Sequence, residues 1–240
     1  MSVRSVKSLI RLPFALTFLL LLSGLPFAAQ GTAAQEFPTQ LQILHAGPDV
    51  GKVEVHINGE GVADEFEYGD MTDWIDLDPG TARLTITVDR AGFNYVIFDS
   101  VYPVPVGNQY YAVITDALIM GGAFDVSPIV ADGSRVQFNH ASVDTPAVNV
   151  VAVGEDAALA SQLQFARTSE AAPLPAGTYD FEVTAADSGE SLLTATGIVI
   201  EPGKSYQFVL SGTPGDTDHP LELVTLETSL SDEADATPAS

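Results

Sequence analysis

The chain has 240 residues, 46% hydrophobic and 17% charged, which is long and apolar enough for one large or two small domains with a buried core. It contains no cysteine, which excludes a disulfide-stabilised scaffold, a thiolate metal site, a cysteine nucleophile and a lipid anchor on cysteine. Its 32 acidic residues against nine basic ones leave no basic patch for nucleic-acid phosphates.

The N-terminus predicts a signal peptide over residues 1–34. Three basic residues precede the apolar run Leu12–Leu22, which is shorter than the roughly 20 residues that a membrane span requires. Small residues at 32–34 predict cleavage between Ala34 and Gln35, with a cut after Gly31 as the alternative. We therefore expect a secreted protein, extracellular or at the cell surface, with no membrane span after cleavage.

The predicted mature chain, 35–240, is strongly acidic. Six basic residues remain against 32 acidic ones, a formal charge of −26. A solvated acidic surface would keep the protein soluble in a salty or calcium-bearing medium. The alternative is that the carboxylates bind Ca²⁺ or a cationic surface.

The two halves of this mature chain repeat each other. Three blocks align in the same order at offsets of 95, 97 and 96 residues: Leu41–Gly59 with Val136–Gly154, Leu77–Val88 with Leu174–Ala185, and Val104–Ile114 with Ile200–Leu210. The repeat predicts two domains, 41–131 and 134–228, after a short lead-in at 35–40. The acidic segment 229–240 lacks periodicity and is predicted to be a disordered tail.

Each repeat has the pattern of short β-strands. Val53–Ile57 and Arg83–Val88 alternate apolar and polar residues with period two, and turn dipeptides such as Asn58-Gly59 separate such segments. This pattern predicts an all-β protein of two tandem antiparallel β-sandwiches of immunoglobulin-like type, with seven or eight strands each. Only Glu155–Phe165 has helical spacing, which we interpret as one short helix or loop turn. The short linker near 129–134 predicts that the sandwiches touch.

The segment His45–Gly59 resembles the start of the repeats in family 4397 of the domains of unknown function. Those repeats open with His-Ala-Ser-Pro-Asp and a Val-Asp-Val strand, followed by Gly-containing turns and a Gly-x-x-Tyr strand. The resemblance extends from about Leu41 to Leu226 and is weaker in the second half, where Val143 and Asn149 replace the family's Pro and Asp. It implies secreted or surface tandem β domains in bacteria and archaea, with no established activity.

The repeated pairs His45 with Asp49 and His140 with Asp144 are the leading candidate site residues. A His and an Asp four residues apart can share a metal ion or act as an acid–base pair. The alternative is structural, with the Asp accepting turn N–H groups and the imidazole bonding that carboxylate or a loop carbonyl. We favour the structural role, because catalysis seldom needs two copies of a motif.

Two acidic segments offer oxygen ligands for Ca²⁺, although neither has a D-x-D-x-D-G loop. The first contains seven carboxylates: Asp64, Glu65, Glu67, Asp70, Asp73, Asp76 and Asp78. The second, Asp216–His219, lies in a predicted hairpin loop and adds an imidazole to two carboxylates. A solvated polar surface is the alternative in both cases. No cofactor other than Ca²⁺ is indicated.

Five aromatic residues of the first repeat are candidates for a platform that stacks on sugar rings: Tyr68, Trp74, Phe93, Tyr95 and Tyr102. Their alternative role is in the sandwich core. No nucleophile elbow, zinc-protease helix or phosphate-binding loop is present in the sequence. We therefore predict a non-enzymatic binding or structural module that contacts a cell-envelope or extracellular polysaccharide or protein. The alternatives are an exported hydrolase using the His/Asp pairs and a calcium-stiffened adhesive spacer.

Overall fold

The computed structural model describes residues 38–90, 92–127, 133–155 and 157–230. The first half forms eight strands: β1 (Gln40–His45), β2 (Val53–Ile57), β3 (Glu60–Phe66), β4 (Ile75–Asp76), β5 (Gly80–Arg90), β6 (Phe93–Val104), β7 (Gln109–Ile114) and β8 (Ile119–Ala123). The second half forms eight more: β9 (Gly133–His140), β10 (Val148–Ala152), β11 (Ala158–Leu163), β12 (Ala172–Pro175), β13 (Gly177–Ala185), β14 (Ser191–Ile200), β15 (Lys204–Ser211) and β16 (Glu222–Ser229).

The two halves have the same sheet topology. In the first, the strand orders are β4-β1-β7-β8 and β3-β2-β5-β6, and in the second they are β12-β9-β15-β16 and β11-β10-β13-β14. The predicted all-β tandem sandwich is confirmed, with eight strands per repeat. One pair in each repeat, β1 with β7 and β9 with β15, is parallel, whereas the other pairs are antiparallel.

Alternation along the strands fills one core inside each sandwich. In the first repeat, Val53, Val55 and Ile57 of β2 point inward and are buried with Leu84 and Ile86 of β5. The corresponding core of the second repeat contains the packed rings of Phe138, Phe181 and Phe208, with centroids 5.2–5.6 Å apart. Each core therefore needs both of its sheets.

The repeats also pack directly against each other, as predicted from the short linker. The outward faces of β1 and β7 meet those of β15 and β16 in a third cluster that includes Leu44, Tyr111, Val113, Val209 and Leu226. Strands β1, β7 and β15 are therefore buried on both faces. This inter-repeat cluster joins the two sandwiches into one compact unit.

A hydrogen-bonded polar chain runs through the same contact. The Tyr111 hydroxyl donates to Asn139 Oδ1 at 3.1 Å, and Asn139 Nδ2 donates to Gln207 Oε1 at 2.8 Å. The Thr228 hydroxyl bonds Gln109 from the other repeat. Because a buried polar group without a partner is costly, these bonds fix how the two faces align.

Two sequence interpretations need correction. The helix proposed for 155–165 is wrong, because strand β11 occupies 158–163. A left-handed residue, Gln162 (φ 51°), makes a bulge that lets Ala160 and Leu163 both face the core despite their odd spacing. The tail predicted from residue 229 starts too early, because Ser229 ends β16 and Leu230 is buried with its N–H bonded to Gly203.

Several predicted segments lie outside the described residues. These are the signal peptide at 1–34, most of the lead-in, residues 129–132 of the predicted linker and the remaining tail at 231–240. Within the described ranges, no helix is long and apolar enough to cross a membrane.

Candidate functional site

The repeated histidines sit at the ends of two equivalent strands. His45 ends β1 and His140 ends β9, and both side chains are fully buried. His45 Nε2 lies 2.9 Å from the Gly51 carbonyl oxygen, and His140 Nε2 lies 2.9 Å from that of Pro146. Each imidazole thus ties its strand end to the loop that leads into the next strand, and a proton on Nε2 suits both bonds.

The aspartates of the repeated motif lie elsewhere. Asp49 and Asp144 are exposed, and neither carboxylate is among the hydrogen-bond partners of its histidine in the described structure. The Asp49 backbone N–H instead donates to Asp116 Oδ1 at 2.8 Å, across the loop that follows β7. The structure therefore brings each imidazole to a loop carbonyl, one of the two structural partners that the sequence left open.

Burial controls the charge state of both imidazoles. Loss of solvation lowers the pKa of His45 and of His140 below the ordinary value, partly offset by the carbonyl oxygens of Gly51 and Pro146. The carboxylates of Asp116 and Asp70 also offset the pKa shift of His45. The native protein therefore resists protonation at both positions.

This resistance predicts acid destabilisation. An unfolded histidine takes up a proton below about pH 6.5, whereas the native one, with its lowered pKa, does so only at a lower pH, so stability present above pH 6.5 is lost as the pH falls toward the native pKa. Between pH 6.5 and 5 we expect the free energy of unfolding to drop by up to about 1.4 kcal/mol per pH unit for each imidazole. Urea unfolding of the wild type and of a His45→Gln/His140→Gln variant across pH 5–8 measures this.

The glutamine variant should have a shallower pH dependence, because an amide can donate to the same carbonyl but does not titrate. An Asp49→Ala/Asp144→Ala variant is the matched control and should keep the wild-type slope. If the free energy of unfolding had the same pH dependence in the wild type and the glutamine variant, the pH dependence could not be assigned to His45 and His140.

Two acidic residues of the first cluster, Glu67 and Asp76, bond different partners. Lys52 Nζ lies 2.7 Å from a Glu67 carboxylate oxygen, and Gln40 Nε2 donates to Asp76 at 2.8 Å. In the other acidic loop, Asp216 accepts the backbone N–H of Asp218 and of His219. Among the described residues, no group of three or more His, Asp or Glu side chains is arranged to hold a metal ion. Ca²⁺ binding stays a prediction.

The structure divides the five aromatic candidates into two groups. Tyr68 and Trp74 contact the second repeat or the inter-repeat cluster: the Tyr68 hydroxyl donates to Glu222 at 2.9 Å, and Trp74 packs on Phe124. Burial raises the pKa of Tyr68 to about 12. The other three, Phe93, Tyr95 and Tyr102, all lie on β6 and are exposed.

The three exposed rings share one side of β6. Across the β5–β6 ladder they pair with Arg90, Val88 and Ala82 respectively, and Val88 and Ala82 are buried. The rings therefore project on the side of the sheet that faces the space between the two sheets of the first sandwich. We call Phe93, Tyr95 and Tyr102 the aromatic row.

One member of the aromatic row, Tyr102, lines an open cleft. A cavity of about 380 Å³ lies between the two sheets at their β6 and β8 edges. Its walls are mainly apolar and include Leu77, Leu84, Tyr102, Tyr110 and Ile119. No sequence pattern predicted this cleft.

Small residues on β8 leave the cleft open. Strand β8 carries Gly121 and Ala123 where the register of the second repeat places Thr225 and Glu227 on β16. In that repeat β14 approaches β16 at the corresponding edge. The Gly121-Gly122 pair beside the aromatic-rich β6 was the available sequence signal.

The fold and these sites define a class of protein, a tandem of two eight-stranded β-sandwiches that share a buried contact. Residues 39–151 and 134–238 both match the family described as Domain of unknown function (DUF4397), and the chain belongs to that family. The resemblance noted in the sequence is confirmed. No curated protein matches the chain at a significant level.

Solved structures give distant likenesses. CBMbc, a family CBM26 module from Eubacterium rectale Amy13K in complex with maltoheptaose, is 12% identical, with 81% of this chain and 98% of that one covered and a TM-score of 0.23. A candidate cell adhesion protein from Bacteroides ovatus is 9% identical, with 83% and 100% covered and a TM-score of 0.25. With TM-scores this low, the ligand or role of each neighbour is a property of that neighbour alone.

Proposed function

We propose that the protein is an exported, non-enzymatic binding module of the cell surface or extracellular space. Its ligand is an extracellular polysaccharide, and its binding surface is the aromatic row together with the cleft of the first sandwich. The second sandwich acts as a support that covers the outer face of the first. The observation that carries the proposal is the exposure of three aromatic rings on one side of β6, one of which, Tyr102, lines an open apolar cavity.

The chemistry of this surface favours sugar rings. Aromatic faces pack against the apolar C–H faces of sugars, and the Tyr95 and Tyr102 hydroxyls can bond sugar hydroxyls from the edges of the same rings. Concave, mostly apolar walls with a few polar groups are typical of ligand sites. The net negative charge of the chain opposes binding of an anionic polymer, so an uncharged polysaccharide is the best match.

The surroundings of His45 and His140 support a non-catalytic role. Both imidazoles are fully buried and each bonds a loop carbonyl, so neither is placed to meet a substrate from solvent. In this proposal His45 and His140 hold the strand ends, and Asp49 and Asp144 are surface residues. An acid–base role would instead require a group within hydrogen-bond reach of the reacting atoms.

Retention on polysaccharide tests the proposal. Purified 35–240 would be sedimented with uncharged exopolysaccharide and with cell-envelope fractions, with and without a calcium chelator. We expect chelator-insensitive retention that weakens at least about fivefold in a Tyr95→Ala/Tyr102→Ala variant, because two stacking contacts of about 0.5–1.5 kcal/mol each are lost.

A Val153→Ala variant is the control, because it removes an exposed apolar side chain outside β6. Unchanged retention of the double tyrosine variant would overturn the proposed surface. Retention that disappears with the chelator would instead favour the calcium-dependent adhesive spacer and direct attention to the Asp64–Asp78 carboxylates.

A further inference from the structure

The cleft of the first sandwich extends into its hydrophobic core. Three of the residues that line it, Leu41, Ile57 and Leu84, belong to the core between the two sheets and are less than one-tenth exposed. Other parts of the lining come from β6 and β8, where the cleft opens to solvent. The cleft is therefore a cavity within the core rather than a groove on the outer surface.

Comparison with the second repeat shows which side chains create this cavity. At the repeat offsets of 97 and 96 residues, Ala82 corresponds to Tyr179 and Ala112 corresponds to Phe208. Both alanines line the cleft. In the second sandwich, Phe208 is fully buried in the core and Tyr179 packs against the same core. The first repeat therefore has two methyl groups at positions where the second repeat has two aromatic rings.

The two alanines do not help the first sandwich to fold. An apolar cavity lowers folding stability, because the side chains around it lose packing contacts. The second repeat has the same sheet topology with larger side chains at the two positions, so the fold itself does not require alanine there. Binding of a ligand in the cavity is a physical reason for the small residues, since ligand sites are concave and mostly apolar.

The lining of the cleft favours an apolar ligand. Among the described residues that line it, none is charged and none carries a buried polar atom without a hydrogen-bond partner. Two of its three hydroxyl groups are already bonded, that of Tyr110 to the Pro105 carbonyl oxygen at 3.3 Å and that of Tyr111 to Asn139. The third belongs to Tyr102, which is 44% exposed. The interior thus does not supply the two to four polar partners, roughly, that a water molecule needs in a cavity.

The volume and position of the cleft indicate the size and shape of the ligand. An engineered apolar cavity of about 150 Å³ binds benzene, which has six carbon atoms. The cleft has a volume of about 380 Å³ and, on the same scale, holds about ten to fifteen carbon atoms. Because the sheets of a sandwich pack about 10 Å apart, the space between them suits a narrow hydrocarbon chain better than a fused-ring system.

We propose that the cleft binds the hydrocarbon chain of an acylated saccharide, whose sugar lies on the aromatic row. Tyr102 connects the two parts of this site, because it belongs to the aromatic row and also lines the cleft. The saccharide is uncharged, since the formal charge of −23 opposes an anion and the described lining offers no charged side chain to pair with an ionic group. This inference deepens the proposed function and rests on it for the saccharide, whereas the site for the chain rests on the cleft alone.

Isothermal titration calorimetry of purified 35–240 with dodecyl maltoside, below its critical micelle concentration, tests the site. We expect one bound molecule per protein chain and a negative heat-capacity change, which marks the burial of apolar surface. Decyl maltoside, which is two methylene groups shorter, should bind about tenfold more weakly, and maltose alone at least about a hundredfold more weakly. Dodecanoate has a similar chain on an anionic group and should also bind more weakly than dodecyl maltoside.

Two variants place the residues of the second repeat in the first and so fill the cleft. Ala112→Phe and Ala82→Tyr each add a ring to its lining, and each should weaken dodecyl maltoside binding at least about tenfold. The matched control is Ala158→Phe, which adds the same ring at an exposed position on β11 and should bind as tightly as the wild type. Matching circular dichroism spectra would establish that the variants fold, and the comparison of chain lengths in the wild type needs no variant.

Three results would overturn the inference. A wild type that does not bind dodecyl maltoside, or equally tight binding by the two cleft variants and the control, would exclude the cleft as the site of the chain. Dodecanoate that binds as tightly as dodecyl maltoside would indicate a free fatty acid and overturn the acylated saccharide.

The inference and the proposed function fail separately. A wild type that is retained on polysaccharide but does not bind dodecyl maltoside would remove the site for the chain and leave the polysaccharide surface. A wild type that binds dodecyl maltoside but is not retained on polysaccharide would overturn the proposed function and leave the cleft as a site for a hydrocarbon chain.

Discussion

Replacing Val209 by aspartate should destabilise both sandwiches together. Val209 lies on β15 with no exposed surface, inside the inter-repeat cluster beside Leu44 and Val113 of the first repeat. An unpaired carboxylate at this position loses its hydration, and the apolar side chains that face it lose their packing contacts. We expect a loss of about 4 kcal/mol or more in the free energy of unfolding, a large share of the 5–15 kcal/mol typical of a folded protein.

The protein contains its own probe for this experiment. Trp74, the single tryptophan, belongs to the first repeat and packs at the edge of the inter-repeat cluster on Phe124. In the wild type, urea unfolding followed by tryptophan fluorescence and by far-UV circular dichroism should give coincident transitions. The Val209→Asp substitution lies in the second repeat, whereas Trp74 reports on the first. In this variant we expect the fluorescence transition of Trp74 to shift to a lower urea concentration by the same amount as the circular dichroism transition.

The control for this prediction is Val199→Asp, which adds the same carboxylate at an exposed position on β14. We expect it to change stability by no more than about 0.5 kcal/mol. A Trp74 transition that stays at the wild-type urea concentration while the circular dichroism transition moves would show that the repeats unfold independently. That outcome would contradict a cooperative inter-repeat contact.

Replacing His140 by alanine should cost about 3 kcal/mol of folding stability. The substitution empties a fully buried site and leaves the Pro146 carbonyl without the imidazole donor. Both effects are destabilising, the first through the cavity and the second through the unsatisfied oxygen. Chemical unfolding at pH 7.5, where the wild-type imidazole is neutral, measures the difference directly.

Two further variants distinguish a structural role of His140 at its strand end from a functional pair of His140 and Asp144. Asp144→Ala removes an exposed carboxylate and should change stability by less than about 0.5 kcal/mol, whereas His140→Gln should recover part of the loss by donating to the same carbonyl. If Asp144→Ala cost as much as His140→Ala, the two side chains would act as a unit, and the His/Asp hypothesis would regain its basis.

The sequence by itself determined the fold class and the internal repeat. Period-two alternation in Val53–Ile57 and turn dipeptides such as Asn58-Gly59 are local features, so they predict strands and their ends without knowledge of the partner. Local pattern failed at 155–165, where the bulge at Gln162 changes which side chains face inward. The hairpin loop around Asp216 was placed correctly between its two strands.

Only the tertiary structure decided which faces are free. Leu44 and Val209 point away from their own cores and are buried because the other repeat covers them. The ring of Tyr102 points toward the inter-sheet space and is exposed at the cleft between β6 and β8. Tyr68 and Trp74 are aromatic residues of the same repeat as Tyr95 and were equal candidates for an exposed platform, yet they lie against or near the second repeat. The reason is physical: alternation tells which side of a strand a residue occupies, but burial depends on what a distant part of the chain places there.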